Sequence, residues 1–187
     1  KHLSQGKKPT IDFFFFLGKP ANMYFADMCR RSLVVHPAVK WLYRANKIVP
    51  YGSNHGLMPA RVNSDSRDLK GLFGKVGPQL GFSNEENMSG EEYLQQIGMK
   101  NGDKYICLVS RDSAYLERTY EHRDWSYHDF RDTKIESYEA AAMALVEKGY
   151  WVIRMGKVVH SLFSVEHPRV VDYATSTYRS DNLDIWL

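Results

Sequence analysis

The chain has 187 residues, of which 43% are hydrophobic and 25% charged, values of a folded chain rather than a disordered tail. Its 25 basic and 22 acidic residues leave a net charge of +3, too close to balance to imply a nucleic-acid or anionic-membrane partner. Cys29 and Cys107, the only cysteines, make neither a disulfide framework nor a thiolate cluster, which points to a reducing compartment.

The opening "KHLSQGKK" is the one locally basic stretch and reads as a solvated end. "IDFFFFL", Ile11 to Leu17, is too short to span a bilayer. Bulky aromatics without alternation predict instead a central strand covered on both faces, closed by Gly18 and Pro20. A helix is expected through "ANMYFADMCRRSL", with Met23, Phe25, Ala26 and Cys29 on one face. A short strand at Val34 and Val35 leads to a second helix starting near Pro37, with Trp41 and Leu42 as its buried anchors. From Pro50 to about Met88 the pattern dissolves into glycine, proline and polar residues, with one helical stretch at "SRDLKGLFGKV", and a domain junction is expected there.

The second half has a firmer rhythm. "SGEEYLQQIG" predicts a short helix capped by Ser89 and ended by Gly98. The strand "YICLVS" follows, with Cys107 as a buried small hydrophobe. After a charged segment, Thr133 is expected as N-cap, with Glu136 as its capping-box partner, for the helix "KIESYEAAAMALVEKG". Gly149 ends that helix, "YWVIR" and "RVVDY" read as two more strands, and "RSDNLDIWL" as the first turns of a helix. Strand, helix, strand, loop and strand is the signature of a parallel α/β sheet, in which binding residues gather beyond the carboxyl ends of the strands.

That rule singles out Arg111 and Asp112 after the first of these strands, Arg154 at the end of the second and Asp172 at the end of the third. An arginine so placed can grip a phosphate through paired hydrogen bonds, and Gly156 would let a ligand approach the backbone. An ion pair between Arg154 and one of the aspartates is the competing reading. Asp112, Asp124 and His128 are candidates for a general base, against capping or pairing with Arg111, Arg123 or Arg131. Tyr115, Trp125 and Tyr127 could stack on a sugar face or simply cover the end of the sheet. A Gly-Lys-Ser/Thr phosphate loop, a dinucleotide fingerprint, His-Glu-x-x-His and a nucleophile elbow are all missing from the sequence. The seven histidines are scattered, His160 and His167 flank "SLFSVE" without a paired acidic set, and no metal site is expected.

The run from "YICLVSRDSAYLERTYEHRDWSYHDFRD" through "VIRMG" to "VVDYATSTYRSDNLDIWL" resembles the signature region of bacterial glycosyltransferases encoded with surface-polysaccharide and lipopolysaccharide genes. "SRDLKGLFG" and "LGFSNEE" resemble that family's middle region. The resemblance implies a two-Rossmann-domain (GT-B) architecture with sugar transfer in the cleft between domains. Residues 1–89 would be part of the acceptor-side domain and its linker, and residues 90–187 the first part of the donor-side domain. The family continues past "DIWL", so the chain is expected to be a piece of a longer protein. By the same resemblance Asp112, Asp124 and His128 are the catalytic candidates, and Arg154, Gly156 and Arg111 bind the donor phosphates. Tyr115, Arg123, Trp125, Asp172, Arg179 and Asp181 would bind sugar or acceptor. No cofactor or metal is implied. The resemblance implies as partners a nucleotide sugar and a glycan or lipid-linked glycan, and a place in the cytoplasm, with peripheral association at the inner face of the membrane as an expectation. A non-catalytic carbohydrate- or nucleotide-binding or assembly module is the alternative.

Overall fold

The computed structural model describes residues 11–56, 71, 74–75, 77–122 and 124–187. The expected basic end falls outside them, as does the helix expected over residues 66–76 except for Gly71, Gly74 and Lys75. The chain separates between Gly81 and Phe82 into two compact units. Each is an α/β arrangement in which helices accompany a parallel sheet.

In the first unit, β1 (Phe13–Phe14) pairs in parallel with β2 (Val34–Val35). Between them runs α1 (Met23–Ser32), started by the Asn22 side chain, which accepts from the Phe25 amide, and closed with Arg30 and Arg31 against the negative end of its dipole. The aromatic run departs from expectation: its strand is only two residues long, and Phe13 and Phe14 are both exposed. On α1 the buried residues are Ala26 and Met28, while Met23 and Phe25 face outward. Helix α2 (Val39–Asn46) begins two residues after Pro37 and buries nothing, so Trp41 and Leu42 are exposed rather than anchors. The Arg44 guanidinium lies 4.8 Å over the Trp41 ring instead.

The second unit is built more deeply. Its first helix, α3 (Asn84–Gln96), starts earlier than expected because Ser83, not Ser89, caps it. Ser83 Oγ accepts from the Glu86 amide, and Glu86 Oε2 accepts from the Ser83 amide at 2.7 Å. A division at residue 89 would fall inside this helix. Gly98 and Gly149, both left-handed at φ 98° and 89°, let the chain leave the two helices they follow.

Three strands, β3 (Tyr105–Val109), β4 (Trp151–Met155) and β5 (Val170–Asp172), pair in parallel in that order, with Tyr105 opposite Trp151 and Arg154 opposite Asp172. Between β3 and β4 come α4 (Ala114–Thr119), a 3-10 segment at Ser126–Arg131, a 3-10 turn at Ile135–Tyr138 and α5 (Glu139–Glu147). The expected capping box at Thr133 does not form. Its hydroxyl lies 3.2 Å from that of Ser110 and its amide donates to the Arg111 carbonyl, which fastens the loop to the end of β3.

Strand β4 is the spine, with Trp151, Val152, Ile153 and Arg154 all buried. Trp151 and Ile153 point to one face, where Tyr93, Met99, Tyr173 and Leu183 pack, the last belonging to α6 (Leu183–Trp186). Val152 points to the other face, onto Ile135, Ala142 and Phe163. A strand covered on both sides has no reason to alternate, which is why "YWVIR" reads as a continuous apolar run. Gly90 completes the first face. A Cβ there would lie 2.1 Å from the Trp186 ring, so only glycine lets the indole rest on α3, and its Nε1 donates to Asn87.

Candidate functional site

Because β3 and β4 are parallel neighbours, the segments following them emerge on one edge of the sheet. A cleft of about 660 Å³ opens there. Asp112 and Ser113 line it from behind β3, Arg154, His160 and Ser161 from β4 and its loop, and Asp132 to Glu136 from the segment before α5. Asp112 and Arg154, expected at adjacent strand ends, therefore meet in one cleft.

Arg154 is its floor and is only 1% exposed. Its Nη1 donates to Asp172 Oδ1 and to the Ser161 carbonyl, each at 3.0 Å, so the competing ion-pair reading describes what that nitrogen does. Asp172 also accepts at Oδ2 from the Phe163 amide and the Thr175 hydroxyl, which holds the carboxylate in place within the fold. Arg154 Nε, buried, finds no acceptor among the described residues. An orphaned donor on a buried cation is costly and marks a place where a further oxygen is wanted. The glycine after this strand has a local explanation: a Cβ on Gly156 would lie 2.6 Å from Val159 Cγ1.

Asp112 is held from both sides, Oδ1 accepting from the Ala114 amide and Oδ2 from the His160 amide. It thereby ties the start of α4 to the loop after β4. Beside it stand three residues that motif reasoning did not assemble. Ser113 Oγ donates to Glu117 Oε1 in a very short bond, His160 Nε2 lies 3.2 Å from Ser113 Oγ, and Glu117 Oε2 lies 3.4 Å from the same nitrogen. The spacing of Ser113 and Glu117, four apart on a short helix, was a readable signal. His160, 47 residues on, becomes their neighbour only through the pairing of β3 with β4.

The other expected positions lie away from the cleft lining or act inside it as supports. Arg111 Nε sits 3.4 Å from Asp132. The Asp124 carboxylate accepts from the Ser126 amide, which holds it below the ordinary range and makes it a weaker proton acceptor. Trp125 stacks loosely with Tyr120 and Tyr127, at centroid distances of 5.8 and 6.2 Å, and Tyr115 is half-buried on α4. His128 falls in the 3-10 segment Ser126–Arg131, and Arg123 lies outside the described residues.

Arg179 and Asp181 belong to a separate network below the first core face. Arg179 Nη2 bonds Asp181 at 2.9 Å and also Asp184, and Lys157 joins Asp181 at 3.0 Å. Burial pulls the Arg179 guanidinium pKa down, but the two aspartates outweigh it and raise it. Asp184 in turn meets the hydroxyl of the buried Tyr173, whose pKa burial pushes up. Among the described residues no group of three His, Cys, Asp or Glu side chains could hold a metal ion, and no helix is long and apolar enough to cross a membrane.

No family model matches the chain, no curated protein matches it, and no solved structure matches it. The geometry of the cleft therefore carries the functional argument.

Proposed function

We propose that the chain belongs to a glycosyltransferase of the GT-B type, with the second unit as the donor-side half. It moves a sugar from a nucleotide donor to a bacterial surface-glycan acceptor at the inner face of the membrane. The observation that carries the reading is Arg154: a buried guanidinium at the carboxyl end of a parallel strand, on the floor of a cleft, with one N–H lacking an acceptor. A ligand oxygen would complete it, and in doubly wound sheets ligands bind at this edge.

In this reading Asp172 fixes the guanidinium through Nη1, and Arg154 offers the donor diphosphate the N–H groups that Asp172 and Ser161 leave free. Lys134, exposed at the cleft and in no ion pair among the described residues, supplies a second positive charge. Asp112, which lines the same cleft, takes the acceptor proton. A non-catalytic binding module is favoured by a different observation, namely that both Asp112 oxygens already accept backbone N–H groups.

Calorimetric titration with UDP, GDP, CDP, ADP and dTDP and their hexose conjugates tests the reading. Saturable binding of one base is expected, weakened about tenfold or more by Lys134→Ala, a change that leaves the core untouched. Binding by none of them overturns the proposal. Nucleotide release that depends on added glycan separates the transferase from the module.

A further inference from the structure

We infer that Ser113, Glu117 and His160 form a subsite for a neutral sugar ring, in which the Glu117 carboxylate accepts from two neighbouring ring hydroxyls. The inference rests on the transferase reading only for what becomes of the sugar, not for its binding.

The trio is held together from within. The Ser113 hydroxyl spends its proton on Glu117 Oε1, and the two groups nearest His160 Nε2 are then both acceptors, so that nitrogen carries a hydrogen. Each Glu117 oxygen is left with an unused lone-pair direction, and the side chain is 54% exposed. A carboxylate locked by two partners and open on its outer side suits a vicinal diol, whose two hydroxyls can each donate to one oxygen. Because the rotamer is already fixed, little further side-chain freedom is lost on binding. The half-exposed His160 ring and the second lone pair of Ser113 Oγ border the same opening.

Two other chemistries fit less well. In a Ser-His-acid relay the acid sits on the imidazole nitrogen opposite the serine, whereas here Ser113 and Glu117 share Nε2, so Ser113 is not an activated nucleophile. A phosphate placed directly against Glu117 would meet the negative charge of that carboxylate, and neither Arg154 nor Lys134, the cations lining the cleft, bonds to the trio. A neutral polyhydroxyl ring meets no such repulsion. Ser113 and His160 also line the cleft, which places the subsite at its edge.

The test is an amide-resolved NMR titration of the whole chain with millimolar D-galactose, D-mannose, L-fucose and D-glucose, and with 2,3,4,6-tetra-O-methyl-D-glucose, whose single free hydroxyl leaves no vicinal diol. At least one intact sugar is expected to shift the amides of Ser113, Glu117 and His160 saturably. Glu117→Gln should weaken that sugar about tenfold, the effect of losing one charge-assisted hydrogen bond. Since Glu117 is more than half exposed, this variant keeps the wild-type spectrum elsewhere. His160→Gln should weaken binding less. No saturable shift with any sugar, equal shifts with 2,3,4,6-tetra-O-methyl-D-glucose and glucose, or unchanged affinity in Glu117→Gln each overturns the subsite. Wild-type binding of a nucleoside diphosphate without sugar binding leaves the transferase reading standing and removes this one. Sugar binding at the trio without any nucleotide binding does the reverse.

Discussion

A strand from each unit, β1 and β4, treats apolar and charged side chains in opposite ways. In the first, Phe13 and Phe14 are 58% and 40% exposed, and in the second, Arg154 is 1% exposed. The difference lies in what each strand has beside it. Strand β4 has a neighbour on both edges and a packed layer on both faces, enough to hold a guanidinium whose charge Asp172 matches. Strand β1 has two residues and one partner, too little sheet to enclose a ring. Burial follows the pairing a segment finds, and side-chain hydropathy alone does not decide it.

The contrast can be broken most forcefully at the charge pairs. Asp172→Ala leaves Arg154 buried and unpaired and should cost about 3–5 kcal/mol in urea unfolding followed by tryptophan fluorescence. Asp27→Ala removes the exposed partner of Arg30 in the first unit and should cost no more than about 0.5 kcal/mol. Equal losses would mean that the two pairs are equally wet.

Glycine gives a second, smaller probe. Gly90→Ala drives a methyl into the Trp186 ring and should cost about 1–3 kcal/mol in spite of the better helix propensity of alanine. Gly18→Ala, with nothing within 4 Å of the new Cβ, should stay within about 0.5 kcal/mol. Recovery of part of the Gly90→Ala loss in the double variant with Trp186→Ala would locate the clash.

Acid gives the mildest probe. Asp103 is held below the usual carboxylate range, chiefly by the Lys100 amide and also by the Trp151 indole N–H. The unfolded chain therefore binds this proton more tightly than the folded one. Its stabilisation is present above the ordinary aspartate value and fades as pH falls through the lower folded value, below about pH 4. The urea midpoint of the wild type should fall faster with acid than that of Asp103→Asn. Parallel curves would show that the carboxylate contributes nothing specific.

The parts of this fold legible in the sequence were those whose cause is local. "YICLV", "WVIRM" and "VVD" are strands as expected, in the parallel order that their connections imply, because short apolar runs bounded by turns leave few alternatives. The start of α3 was misplaced because Ser83 and Ser89 offer the same chemistry, each with a glutamate three residues on, and the capping box forms at Ser83. "IDFFFFL" misled because composition announces that a segment could be covered but not what covers it. At the cleft, Asp112 and Arg154 could be named from strand ends alone. The Ser113, Glu117 and His160 contact could not, since it depends on a register that pairs Leu108 with Arg154.

The seat of Trp186 on Gly90 has a kinetic side. Its indole N–H reaches Asn87 across a sequence separation of 99, so the helix that opens the second unit finds its partner only when nearly all of that unit has left the ribosome. Closing so long a loop costs entropy that grows with the logarithm of its length. Contacts of this kind slow folding relative to local ones. During synthesis the Gly90 side of α3 stays uncovered until Trp186 arrives, and over that interval a chaperone has an apolar surface to hold.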